Sequence, residues 1–368
     1  MKHRMKLPVK NSQRQRGFNL IELMVGITIS LFGLAAVSSM MMTFSSKRAS
    51  ITSTLSAQDS GVMALFRIER DISQAGYGLM HLQACASLTD GAATNSPVPV
   101  IIGDGGTNSD TIEMQYANSR SGSPGTGLSG TAQTATSYFT SSSVGFAVND
   151  YVVSNATTSV AAPAACVVTK IIAPTGTAPN IVISTAAGEP VLTPSTEPDS
   201  YLENWGQLGE FVRRQFSVNA GSLVLREYDR TQADGLAATA NTLVNDVVFL
   251  KAQYGMATTT AGGVTGCTRA ADVVTSWVSG ATVISSANSC AVIAIRVGVV
   301  ARSALRENES IELASANTAL TVLPAVSDSV GNVLSAEITY DPSAAATRYR
   351  HRVYSTIIPL KNVIWSRQ

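Results

Sequence analysis

Side chains able to act as acids, bases or ligands are sparse in this chain. Carboxylates at Glu203, Glu210 and Asp229 could be paired for hydrolysis, but nothing in their spacing makes one an acid and another a base. The histidines are His3, His81 and His351, and there is no G-x-S-x-G, H-E-x-x-H or Walker loop. The stretch DGGTNSD, residues 104–110, has the acids and turn residues of a calcium loop but lacks the EF-hand spacing and its terminal Glu. A hairpin turn is the favoured reading there, so no metal site and no cofactor are expected.

The most unusual chemistry lies near the N-terminus, in RQRGFNLIELMVGITIS, residues 14–30. Lys2, Arg4, Lys6, Lys10, Arg14 and Arg16 precede Gly17, an apolar run begins at Phe18, and Glu22 sits inside it. From Leu23 to Ser46 there are 24 consecutive uncharged residues, more than the roughly 20 that span a bilayer core. The excess of basic residues before the span places the N-terminus in the cytoplasm. An ordinary secretory signal has a shorter apolar stretch and a small-residue cleavage site, neither of which is present. A cut before the apolar run would explain the position of Gly17 and keep the helix. A carboxylate within a lipid-facing helix is costly and marks a pairing partner. Cleavage after Gly17 would supply one, an α-amine at Phe18, one helical turn from Glu22 on the same face.

RGFNLIELMVGITIS resembles the leader and N-terminus of type IV prepilins and type II secretion pseudopilins. The resemblance implies cleavage between Gly17 and Phe18 by a prepilin peptidase, N-methylation of Phe18, and an assembly role for Glu22. That role is to neutralise the amine of a neighbouring subunit. Three further phrases are similar to the PilW family of minor pilins: LFRIERDISQAGYG, LVNDVVFLKAQYGM, and AIRVGVVARS followed by RYRHRVYSTIIPLKN. They lie in the expected order, while residues 117–205 match nothing comparable.

The elements that must position these residues follow from periodicity. There is no proline from Val9 to Ser96, and Ile51, Leu55, Val62, Leu65, Ile68 and Ile72 continue the apolar run as one stripe. A rod from Phe18 to about Ala75 would be on the order of 85 Å long, with Gly26, Gly33 and Gly61 as places to bend. Beyond it the composition turns to Gly, Ser, Thr, Ala and Pro, with short β-like runs at 98–102, 111–116, 144–148, 166–172 and 181–184. A second group lies at 211–218, 222–229, 247–256, 290–303, 336–340 and 349–360, with NAG as a hairpin turn between the first two. Residues 117–137 read as a mobile low-complexity loop.

The expected fold is α+β, a long N-terminal helix packed on an antiparallel β-sheet head. Its divisions are a leader at 1–17, a transmembrane or filament-core helix at 18–46, an amphipathic continuation at 47–76, and a head at 77–368 with two sub-sheets about residues 77–200 and 201–368.

Charge and cysteines bound the environment. Without residues 1–17, the 26 basic residues fall to 20 against 25 acidic, so the body is not a basic nucleic-acid binder. Cys85, Cys166, Cys267 and Cys290 form no CxxC, and an even count beyond a membrane segment favours two disulfides. Of three possible connectivities, Cys85 with Cys166 and Cys267 with Cys290 is favoured. In RYRHRVY, Arg348, Arg350 and Arg352 share one strand face. They are a possible contact for DNA phosphates or for the acidic surface of a neighbouring pilin, although an edge strand defended by charge is the favoured reading. DNA binding is not predicted.

The resemblance implies a non-enzymatic minor pilin that helps prime pilus assembly in a tip complex. Its partners would be other minor pilins, the major pilin, the prepilin peptidase and the inner-membrane assembly platform. It would be held in the inner membrane with a periplasmic head, then built into a surface pilus serving twitching or DNA uptake. The alternatives are a type II secretion pseudopilin and a membrane-anchored hydrolase or sugar-binding protein.

Overall fold

The computed structural model describes residues 17, 19–79, 81–82, 85–118, 125–128, 137–140, 142, 144–154, 164–174, 180–183, 201–207, 209–259, 269–286, 288–306, 319–342 and 349–365. The chain divides into two units, Met1–Thr52 and Ser53–Gln368, and helix α1 (Leu20–Ile72) contributes to both.

In the first unit the helix is apolar save for Glu22 and exposed from Leu20 to Ser45. Several of its hydroxyls bond back to the helix itself. Thr28 Oγ1 donates to the Val25 carbonyl at 2.8 Å, Ser30 Oγ to Gly26 at 2.7 Å, Ser39 to Ala36 at 2.8 Å and Thr43 to Ser39 at 3.0 Å. Internal satisfaction of this kind is what a hydrocarbon environment demands.

The second unit holds a head whose strands, in chain order, begin with β1 (Cys85–Asp90), β2 (Ala93–Asn95), β3 (Val100–Gly103) and β4 (Thr111–Ala117). Next come β5 (Gly125–Gly127), β6 (Ser137–Phe139), β7 (Tyr151–Ser154), β8 (Ala164–Pro174), β9 (Asn180–Ile183) and β10 (Tyr201–Gly206). Then follow β11 (Phe211–Asn219), β12 (Ser222–Glu227), β13 (Asn241–Asn245), β14 (Val247–Thr259), β15 (Arg269–Ser279) and β16 (Val292–Arg302). The last are β17 (Leu320–Leu323), β18 (Val326–Ser327), β19 (Val333–Ser335), β20 (Ile338–Tyr340) and β21 (His351–Pro359), before the short helix α2 (Lys361–Trp365).

One sheet is built around β2-β1-β8-β7-β10-β5, with β9 and β6 attached through β8. A second has the order β13-β12-β11-β4-β3 and a third β15-β14-β16-β21. The second sheet pairs β4, from before residue 200, with β11, from after it.

The head is α+β and mostly antiparallel, as expected, with one exception. β1 and β8 run parallel, and the Cys85–Cys166 disulfide joins these two neighbours across a sequence separation of 81 residues. The NAG turn is a two-residue hairpin in which Ala220 and Gly221 both take positive φ, +49° and +76°, and Asn219 pairs with Ser222. Residues 144–148 are not a strand, because Gly145 and Asn149 adopt positive φ. The strand comes later, at β7. The supposed mobile loop contributes β5, paired with β10, while residues 119–124 and 129–136 lie outside the described residues.

The helix face that enters the head differs from the apolar stripe. Ser53, Ala57, Gly61, Ala64, Ile68 and Ile72 are buried, whereas Ile51, Leu55 and Val62 are exposed. Gly61 explains the choice. A β-carbon there would lie 2.2 Å from the Tyr354 ring of β21, so small residues let the third sheet approach the helix. The helix continues through Gly61 without a break.

Ile68 and Ile72 then join Met114, Phe216, Tyr254, Ile295, Val297 and Ile358 in the main core, between the helix and the second and third sheets. Burial pushes the Tyr254 phenol up to about 12, and its oxygen accepts a hydrogen bond from the Ile102 amide. At the helix end, Arg214 of β11 grips Asp71 at 3.0 Å, while its neighbour Arg213 points to the opposite face and meets Glu113 at 2.6 Å.

Gly61→Leu should overpack the Tyr354 contact and lower stability by roughly 1–3 kcal/mol. An earlier denaturation midpoint of the full chain in detergent would show it, and an unchanged midpoint would mean that the ring does not set the approach.

Candidate assembly surfaces

At the start of α1, the Asn19 carbonyl accepts from the Glu22 amide at 2.9 Å and the Leu23 amide at 3.2 Å, which opens the helix. Glu22 thus sits in the first turn, where the helix dipole favours a carboxylate. It is the one charged residue from Leu20 to Ser46. Glu22, Leu23, Gly26, Ile27, Ser30, Leu31 and Leu34 line a groove of about 410 Å³ along one helix side. A β-carbon at Gly26 would meet nothing within 4 Å. Small residues four apart beside a carboxylate suit the close approach of a second helix carrying a cation. Gly17 is described, whereas Phe18 lies outside the described residues.

The basic strip is at the start of β21, the outer strand of the third sheet. Arg352 is exposed, Arg350 is half-buried, and Arg348 lies outside the described residues. Arg352 shares its face with Tyr354 and Ile358, while His351 and Val353 take the other. Burial, together with the charge of Arg302, holds the His351 imidazole below the usual histidine range. The cysteines fall elsewhere. Cys85 and Cys166 are bonded to each other with a Cα separation of 5.4 Å, Cys290 is disulfide-bonded, and Cys267 lies outside the described residues.

The acidic DGGTNSD loop joins β3 to β4, and its charge is answered from within the protein. Lys251 of β14 reaches Asp110 Oδ1 at 2.6 Å and the Gly106 carbonyl at 2.7 Å, and both charged side chains are buried. The second Asp110 oxygen accepts from the Ala252 amide at 3.0 Å, and Asp104 accepts from the Gly106 amide at 2.7 Å. The ammonium occupies the position that a bound cation would take. Among the described residues no group of three or more metal-ligating side chains gathers.

The carboxylates weighed for hydrolysis are each committed locally. Glu203, fully buried, pairs with His81, whose ring stacks on Tyr201 at 3.9 Å. Glu210 accepts from the Gln207 amide at 2.8 Å, and Asp229 closes a turn through Thr231. Trp205 is a core residue stacked on Phe211 at 4.2 Å, with its indole donating to the Gly78 carbonyl at 3.0 Å, whereas Trp365 is exposed. Sequence reasoning missed the His81–Glu203 and Lys251–Asp110 pairs. Separations of 122 and 141 residues leave no local signal for either.

Residues 211–362 match the family described as Type IV Pilus-assembly protein W, and residues 12–38 match the prokaryotic N-terminal methylation motif. The first match runs from β11 to α2 and includes the whole third sheet. Among solved structures the chain is similar to a type IV-like pilin from Thermus thermophilus, at 10% identity and a TM-score of 0.33, over 83% of this chain and 97% of that one. No curated protein matches the chain.

Lys251→Met should leave Asp110 buried without its cation and lower stability by about 3–5 kcal/mol. Adding Asp110→Asn should recover a large part of that loss in chemical denaturation. If the double variant were no more stable than the single one, the ion pair would not be what holds the loop.

Proposed function

We propose that this chain, a type IV minor pilin of the PilW family by the matches over residues 211–362 and 12–38, acts in pilus assembly as follows. A prepilin peptidase cuts between Gly17 and Phe18, and the new N-terminus at Phe18 is methylated. Until assembly the helix holds the subunit in the inner membrane with its head in the periplasm. Other minor pilins join it in a complex at the pilus tip, which the assembly platform extends with the major pilin.

The observation that carries this reading is Glu22. A single carboxylate lies in the first turn of an exposed apolar helix. An acid so placed is stabilised by a cation from another chain, and the α-amine of a neighbouring processed subunit is such a cation. A type II secretion pseudopilin would share Glu22 and the helix, but the match to the pilus-assembly family over the third sheet favours the pilus. A membrane-anchored hydrolase finds little support in carboxylates committed to His81, a turn amide and Thr231.

Glu22→Leu should remove surface pili from the shear fraction by more than about tenfold, because the amine of the neighbour would lose its partner in hydrocarbon. Mass spectrometry should find a mature terminus at methylated Phe18 in both membranes and sheared filaments, lost without the peptidase. A mature terminus confined to membranes, with secretion rather than piliation failing in Glu22→Leu, would favour the pseudopilin.

A further inference from the structure

The third sheet ends on β21, and hydrogen bonds at its two ends reveal which backbone groups face outward. The Ser303 amide donates to the Arg350 carbonyl at 2.8 Å, and the Leu360 amide donates to the Ile293 carbonyl at 2.8 Å. Between them, β21 pairs with β16 from His351↔Arg302 to Pro359↔Ala294 with no register shift. In an antiparallel ladder alternate residues turn both backbone groups toward the partner. Even-numbered residues of β21 therefore face β16. The amides and carbonyls of Val353, Ser355 and Ile357 point out of the sheet, where no strand pairs with them among the described residues.

Edge strands are ordinarily guarded by charge, proline, a bulge or short length. Here the guards stand only at the ends, Arg352 at one and Pro359 at the other. From Val353 to Ile358 the strand is uncharged and unbulged, and Ile357 is 55% exposed. The opposite face of β21 is fixed, with Tyr354 against Gly61 and Ile358 in the main core. The edge is thus straight and rigidly held.

We propose that the outer edge of β21 is a docking site for an extended strand of a different pilin subunit, which adds to the third sheet by backbone pairing. Such a strand would take two hydrogen bonds each from Val353, Ser355 and Ile357. It would carry an apolar side chain opposite Ile357 and a carboxylate near exposed Arg352, so that charge fixes its register. A second copy of this chain fits poorly. Its opposite edge, β15, is irregular, with two register shifts against β14, and β21 set against a second β21 would bring no carboxylate to Arg352, because residues 351–359 contain none. The identity of the partner as a pilin rests on the assembly reading above.

The test places a photo-crosslinking benzoylphenylalanine at Ser355 of the full-length chain in piliated cells. Irradiation should give an adduct with another pilin subunit. Ser355→Pro removes one outward amide and leaves the β16 ladder whole; combined with the probe moved to Val353, it should reduce the adduct by at least about tenfold. Ile357→Lys, which keeps every backbone group and adds a guard, should do the same if the proline variant fails to fold. An adduct only with a second copy or with a non-pilin protein would overturn the proposal, as would no adduct or an adduct indifferent to both substitutions. If those two variants piliate normally while Glu22→Leu does not, the edge proposal falls and the assembly reading stands. If Glu22→Leu also piliates normally, both fall.

Discussion

The head depends on how closely a helix can approach a sheet. Ser53, Ala57, Gly61 and Ala64 remove side-chain bulk from one face of α1, and the Tyr354 ring lies where a larger residue at 61 would stand. That approach brings β21 onto the helix and lets Ile68 and Ile72 reach into the core further along. Because the buried face is built from small residues, Leu55, Val62 and Phe66 are left exposed on the other side of the same turns. Dense packing thus fixes one face of the helix and leaves a second apolar face uncovered in the isolated chain.

Charge does the remaining joining. Asp71–Arg214 ties the helix end to the second sheet, Asp110–Lys251 ties the second sheet to the third, and Asp90–Arg230 ties the first sheet to the turn after β12. Each pair includes a buried or nearly buried partner, and each member would be expensive to leave alone. They also account for the chemistry that seemed available in the sequence. Asp110 of the would-be calcium loop is paired with Lys251, and Glu203 of the would-be hydrolase is paired with His81.

Much of this protein was legible in its sequence, for physical reasons that are local. A span of uncharged residues behind a cluster of basic ones announces a helix long and apolar enough to cross a membrane, and the lone acid at Glu22 stands out in it because a charge in hydrocarbon is so unfavourable. The alternation in FVRRQFSV and SLVLRE around NAG announces a hairpin, because side chains on a strand change face at every residue. Other features resisted reading. Gly145 and Asn149 broke an apparent strand through positive φ, which apolar content does not reveal. The parallel pairing of β1 with β8 joins segments that share no local pattern.

The sequence by itself determined the long apolar helix, the lone carboxylate and the mixed α and β character of the head. These follow from properties of contiguous residues, namely hydropathy, period and turn chemistry. Only the tertiary structure decided which face of α1 is buried, which cation answers Asp110 and which partner takes Glu203. It also decided that β21 lies outermost, with Val353, Ser355 and Ile357 turned outward. These are properties of residues brought together from more than a hundred positions apart, or of the parity with which one strand meets another. A one-residue change of register would reverse them without altering a single local signal.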